Sequence, residues 1–101
     1  VVTIWHWTNP VWLANDKGWT NPKAPKYFLE YAKMVIKELD VYTDYWVTLN
    51  EPMIPLTNGY LTKRFPPNKI NPIFFVKAMA RNNIFYKPSQ FIVVTVSFHI
   101  R

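Results

Sequence analysis

The chain has 101 residues, half of them apolar and 18% aromatic, enough for one small domain that buries a core. It has no cysteine, which excludes disulfides and thiolate metal sites, and its nine prolines against two glycines predict short elements joined by stiff turns. The formal charge of +6 is uneven: residues 1–60 hold five lysines and six acids, whereas residues 61–101 hold seven cations and no acid.

Residues 1–7, VVTIWHW, are β-branched and aromatic and read as a strand apolar on both faces, as in a parallel sheet covered by helices. Residues 8–22 contain Pro10, Asn15, Asp16, Gly18, Asn21 and Pro22, and predict a long loop with at most a short helical turn. Residues 23–39 predict a helix, with Phe28, Tyr31, Ala32, Val35, Ile36 and Leu39 forming one apolar stripe and Asn21-Pro22 acting as cap and first turn. Residues 45–50, YWVTLN, predict a second buried strand. Strand, helix and strand in this order make a βαβ unit with a parallel pair. Residues 52–72 carry five prolines and Gly59 and predict a long irregular connection of the kind that carries function. A further helix is expected over 73–86, with Phe74, Phe75, Ala78, Met79 and Phe85 on one side, and a third strand over 91–98.

Two or three strands with two helices do not make a complete layered architecture. A closed (β/α)8 barrel runs to about 250 residues. The expected fold class is therefore α/β, a fragment of such a barrel.

Glu51 is the focal point for chemistry. It follows an uncharged strand directly and precedes Pro52, at the end of a parallel strand where α/β active sites are built. A carboxyl there among Trp46, Trp5 and Trp7 is expected to be partly desolvated, which favours the protonated form a general acid needs. The bland alternative is a strand-end glutamate in water. Asn50 beside it could both donate to and accept from a sugar hydroxyl. A regular strand sends Asn50 and Glu51 to opposite faces, so both serve one pocket only if the strand is bulged or ending there. His6 and Trp7 end the first strand in the same way, and Trp7 is the aromatic best placed to stack on a sugar ring.

Other chemistries lack their residues. The two histidines, His6 and His99, have no metal-site spacing. No glycine-rich phosphate loop is possible with Gly18 and Gly59 alone, and neither Ser89 nor Ser97 sits in a nucleophile elbow. A basic tail attracts nucleic acid in general, but these cations form no dense cluster, so no nucleic-acid partner is expected. The longest strongly apolar run, 91–98, is eight residues against the roughly 20 that span a bilayer as a helix, so no membrane association is expected. With no signal-peptide pattern and no cysteine, a cytoplasmic location is the expectation.

Thr48-Leu49-Asn50-Glu51-Pro52 resembles the T-x-N-E-P signature of family 1 glycoside hydrolases. His6-Trp7, Pro10, Trp12-Leu13 and Gly18-Trp19 resemble that family's third strand and following loop. Tyr27 to Ala32 resembles its third helix, and Gly59-Tyr60 with Phe65-Pro66-Pro67 resembles the segment after the signature. The likeness covers residues 1–80 in order, is similar in style to archaeal β-glucosidase, β-galactosidase and β-mannosidase types, and fades over 81–101. It implies strands 3 to 5 of a (β/α)8 barrel that hydrolyses β-linked glycosides with retention, with no cofactor. By the resemblance Glu51 is the acid/base, Asn50 binds the sugar 2-hydroxyl, and His6 and Trp7 hold hydroxyls of the glycone.

The family's nucleophilic glutamate lies on a later strand that this chain does not contain. A retaining pair stands about 5–5.5 Å apart. Asp44, seven residues before Glu51, would lie roughly 23 Å away along the strand, and only Asp16 is on a loop at the correct end, with nothing in the sequence to fix it. The expectation is a chain inactive by itself, completed by a chain carrying the rest of the barrel. The alternative is a non-catalytic carbohydrate-binding remnant.

Overall fold

The computed structural model describes residues 1–82 and 95–96. In chain order it has β1 (Val2–Trp5), α1 (Val11–Asn15), a 3-10 turn (Gly18–Thr20), α2 (Ala24–Leu39), a second 3-10 turn (Asp40–Tyr42), β2 (Trp46–Leu49), α3 (Met53–Tyr60), α4 (Pro72–Asn82) and β3 (Thr95–Val96).

β1 and β2 pair in parallel, with Val2 opposite Trp46, Thr3 opposite Val47 and Trp5 opposite Leu49. This is the βαβ unit that the order of elements predicts, with α2 as the connection. Neighbouring residues on each strand are both buried, Ile4 with Trp5 and Trp46 with Val47. That pattern requires a sheet covered on both faces and explains why the strands read as continuous apolar runs rather than alternating ones.

β3 pairs with β2 antiparallel, with Trp46 opposite Val96 and Val47 opposite Thr95. A barrel of the expected kind would continue with a parallel strand, so this pairing departs from the expectation. It does cover the first half of an edge of β2 that would otherwise be open. The rest of the strand expected over 91–98, and residues 83–86 of the helix expected over 73–86, lie outside the described residues.

Four local expectations are corrected. The helix expected from residue 23 starts at Ala24, and Pro25 falls in its first turn, where a missing N–H is harmless. Asn21 does not cap this helix. Its side chain is buried, its Oδ1 accepts from the Lys23 amide at 2.8 Å, and it stiffens the turn that precedes the helix. Tyr31 and Leu39 leave the expected stripe and are exposed, so the buried face is Ala24, Phe28 and Ala32 with Val35 and Ile36 at its margin. Residues 53–60, expected to be irregular, form α3; Pro52 stands at its N-cap position and Pro55 lies in its first turn, so neither proline removes a hydrogen bond the helix needs.

The core gathers between the sheet, α2, α3, α4 and the turn at Gly18–Thr20. Trp46 is its most enclosed large side chain, at 1% exposure. Trp5, Trp19 and Phe28 continue it as a chain of ring contacts, with centroids 5.4 Å and 5.9 Å apart. Gly59 lets the chain fold back on itself: a Cβ there would stand 2.9 Å from the Pro66 carbonyl oxygen. Among the described residues no helix is long and apolar enough to cross a membrane.

Candidate active site at the strand ends

Both strands stop early, β1 at Trp5 and β2 at Leu49. The residues that follow therefore leave the pleat, which removes the conflict between Asn50 and Glu51 that a regular strand would impose. Parallel pairing puts His6-Trp7 and Asn50-Glu51 at the same end of the sheet. The Asn50 amide still donates to the Trp5 carbonyl at 3.0 Å, which keeps the two ends together one residue beyond the strands.

His6 and Asn50 meet side chain to side chain, Asn50 Nδ2 to His6 Nε2 at 3.3 Å. With the amide donating, His6 carries its own proton on Nδ1. The Trp7 indole N–H donates to the Asn50 carbonyl at 2.9 Å. Its ring stands edge-on to His6, centroids 5.0 Å apart, and tilts against Phe65 at 6.2 Å. Three of the four expected residues are thus in mutual contact.

Glu51 is adjacent in the chain but differs in its surroundings. It is exposed, and its backbone turns through φ +38° into the left-handed region. The expected enclosure by three tryptophans is not found. Trp46 lies at the start of β2 and donates its indole N–H towards Asp40 Oδ1 at 3.3 Å, at the opposite end of the strand. Trp5 is buried in the core and donates to Asn9 Oδ1 at 3.0 Å. Only Trp7 stands at the rim. Within the described residues, then, Glu51 has a defined position without a dry environment.

A cavity of about 890 Å³ opens beside the first strand end. His6 and Trp7 line it, together with the 3-10 turn at Gly18–Thr20, Tyr60 and the stretch Phe65 to Lys69. Asn50 and Glu51 do not. Its wall mixes flat rings with hydroxyls, amides and the lysines Lys17 and Lys69, the mixture that suits a polyhydroxylated ring with one apolar face. Burial pushes the Tyr60 phenol up from its ordinary value, so it is a neutral hydroxyl at neutral pH. Trp19 presents a buried indole N–H with no acceptor among the described residues. The sequence signals for these wall residues were weak: Gly59-Tyr60 and Phe65-Pro66-Pro67 stand out as short motifs, but nothing local brings them to His6.

Asp16 is better fixed than its loop position suggests. Asn21 Nδ2 donates to its carboxylate at 2.7 Å and to its main-chain carbonyl at 3.0 Å. It does not line the cavity, and its carboxylate is engaged within its own turn. Among the described residues no group of three His, Asp or Glu side chains gathers as a metal site would require.

The model of glycosyl hydrolase family 1 matches residues 1–89. Among curated proteins, Myrosinase 1 of Brevicoryne brassicae is 38% identical over 68 residues, covering 67% of this chain and 14% of that protein. A β-galactosidase of Pyrococcus woesei is 33% identical over 86 residues, covering 71% of this chain and 17% of the relative. Among solved structures, a β-glucosidase from Exiguobacterium marinum superposes with a TM-score of 0.74 at 35% identity, over 78% of this chain and 18% of that one. The chain therefore spans less than a fifth of the length of these relatives.

Proposed function

The chain belongs to glycosyl hydrolase family 1, and from that we propose that it is the part of a retaining β-glycosidase barrel that carries the acid/base glutamate, Glu51. The observation that carries the proposal is the register of β1 and β2. It puts Asn50-Glu51 level with His6-Trp7, at one end of a parallel pair, where barrel enzymes build their sites. In this reading Glu51 gives its proton to the departing glycosidic oxygen and later takes one from water. Asn50 and His6, already in contact, present an amide and an imidazole N–H to sugar hydroxyls. Trp7 offers its ring beside them.

The missing half of the reaction is a nucleophilic carboxylate. None of the described acids can supply it: Asp16 is held by Asn21, Glu30 and Glu38 lie on α2, and Asp40 and Asp44 precede β2, at its far end. The exposure of Glu51 has the same consequence, since a general acid of this class works in a site that other strands close. The chain alone is therefore inactive, and a barrel completed by further polypeptide is the active unit.

The test is a chimera in which residues 1–82 replace the matching segment of a related β-glucosidase. The isolated chain should not turn over aryl β-glycosides, while the chimera should. In the chimera, Glu51→Gln should lower kcat much more for substrates with poor leaving groups than for activated ones, about 10²–10⁴-fold for the former. A Glu51→Gln chimera as active as its parent would remove the assignment.

A second reading, a sugar-binding remnant without chemistry, is favoured by the cavity, which His6 and Trp7 line without Glu51. Titration with glucose, mannose and galactose, followed by tryptophan fluorescence, separates the two. Saturable binding by the isolated chain supports the remnant, and no response at tens of millimolar argues against it.

A further inference from the structure

Trp7 and Glu51 each stand two residues past the last pair of the strands, Trp5 with Leu49. These two residues share a rare backbone state: φ is +76° at Trp7 and +38° at Glu51. Side-chain-bearing residues avoid this region, bulky ones most of all, and remain there only where the surroundings hold them. At Trp7 the hold is visible. The ring lies against His6 and Phe65, and the indole N–H reaches the Asn50 carbonyl 43 positions away in the chain.

That carbonyl belongs to the peptide group joining Asn50 to Glu51. A peptide is planar, so fixing the direction of its C=O fixes the direction of the N–H that enters Glu51. The orientation of this one plane sets ψ of Asn50 and φ of Glu51 together. The next hydrogen bond along the chain runs from the Ile54 amide, in the first turn of α3, to the Glu51 carbonyl at 3.0 Å, so the turn is held on both sides.

We propose that Trp7 is a positioning residue: its indole clasps the Asn50–Glu51 peptide and holds the left-handed turn that aims Glu51. Indole has a single N–H, and here it is committed to the main chain. Trp7 therefore does not hold a glycone hydroxyl with its N–H, the role implied by family resemblance, and meets a sugar through its ring alone. This rests on reading the rim as a glycoside site, yet the clasp is measurable without any sugar.

The experiment uses the full chain labelled with ¹⁵N. In the unmodified protein, the Trp7 indole proton should exchange with solvent at least about tenfold more slowly than that of exposed Trp12, since a hydrogen bond must open first. Trp7→Phe keeps a ring against His6 and Phe65 while deleting the donor. It should change the HN–Hα coupling of Glu51 and speed exchange of the Ile54 amide by about tenfold, whereas Phe65→Leu should leave the Glu51 coupling unchanged. Equal exchange at Trp7 and Trp12, or an unaltered Glu51 coupling in Trp7→Phe, overturns the clasp. Should Trp7→Phe fail to fold, the indole comparison in the unmodified chain decides. A protected Trp7 indole together with a Glu51→Gln chimera as active as its parent supports the clasp while removing the glycoside reading.

Discussion

After Trp5 the chain runs into a walled cavity; after Leu49, at the matching register, it runs into solvent. The two strand ends share a backbone design, each entering the left-handed region two residues past the last pair. They differ in what surrounds them. Trp7 is pressed between His6 and Phe65, and Phe65 arrives from a segment far along the chain. Glu51 has no such neighbour among the described residues and is exposed. Strand pairing thus decides where a rim residue stands, and distant loops decide whether it stands in a dry place. A catalytic carboxyl needs both, and this chain supplies the first.

The largest expected effect is on the sheet beneath both ends. Trp46→Ala should cost about 3–5 kcal/mol, the range for truncating a large buried aromatic, because Trp46 is 1% exposed and pairs with both flanking strands. Urea denaturation would measure it, and loss of cooperative unfolding would be the extreme form. If the ends are independent of the sheet, the change would be small and the comparison would have no common base.

Glycine substitution probes the two ends directly, since glycine adopts positive φ without strain. Trp7→Gly relieves the backbone but removes the ring contacts and the hydrogen bond, and should destabilise by about 2–3 kcal/mol. Glu51→Gly relieves the same kind of strain at an exposed side chain, and should stabilise by about 1 kcal/mol. Opposite signs in matched urea melts would sharpen the contrast. The same sign at both sites would break it, and would mean that Glu51 makes interactions equivalent to those of Trp7.

The smallest effect concerns the cavity wall. Burial raises the Tyr60 phenol above its ordinary value. A group whose folded pKa is raised contributes stability that is fully present below the unfolded pKa and is lost as pH rises through the folded one. Stability should therefore be level through neutral pH and fall above the ordinary tyrosine range, about 10, with the fall reduced in Tyr60→Phe. Urea midpoints measured across alkaline pH would show it, and an identical decline in both proteins would place the cause elsewhere.

Much of this fold was legible one segment at a time. β-branched and aromatic runs marked β1 and β2, and helical periodicity marked α2 within one residue of its observed start. The failures are instructive in their causes. Tyr31 and Leu39 obey the period of the stripe, but periodicity says which residues share a side and not how widely that side is covered. The helix α3 was missed because Pro52 and Pro55 count as breakers by residue type, although at the first turn of a helix a proline removes nothing. β3 falls inside the strand expected over 91–98, but its antiparallel direction was not legible, since its run is apolar like those of the parallel pair.

The candidate site divides along the same line. His6, Trp7, Asn50 and Glu51 could be picked from the sequence because each lies at the end of a recognisable strand, and parallel pairing brings such ends together. The contact between Asn50 and His6, the use of the Trp7 indole on a main-chain carbonyl, and the place of Tyr60 and Phe65 in a wall could not, for they join residues tens of positions apart. Local sequence determined which residues stand at the rim, because strand length and strand ends are set by neighbours in the chain. Only the tertiary structure decided which of them are sheltered from water, because shelter is made by whichever distant segments happen to pack alongside.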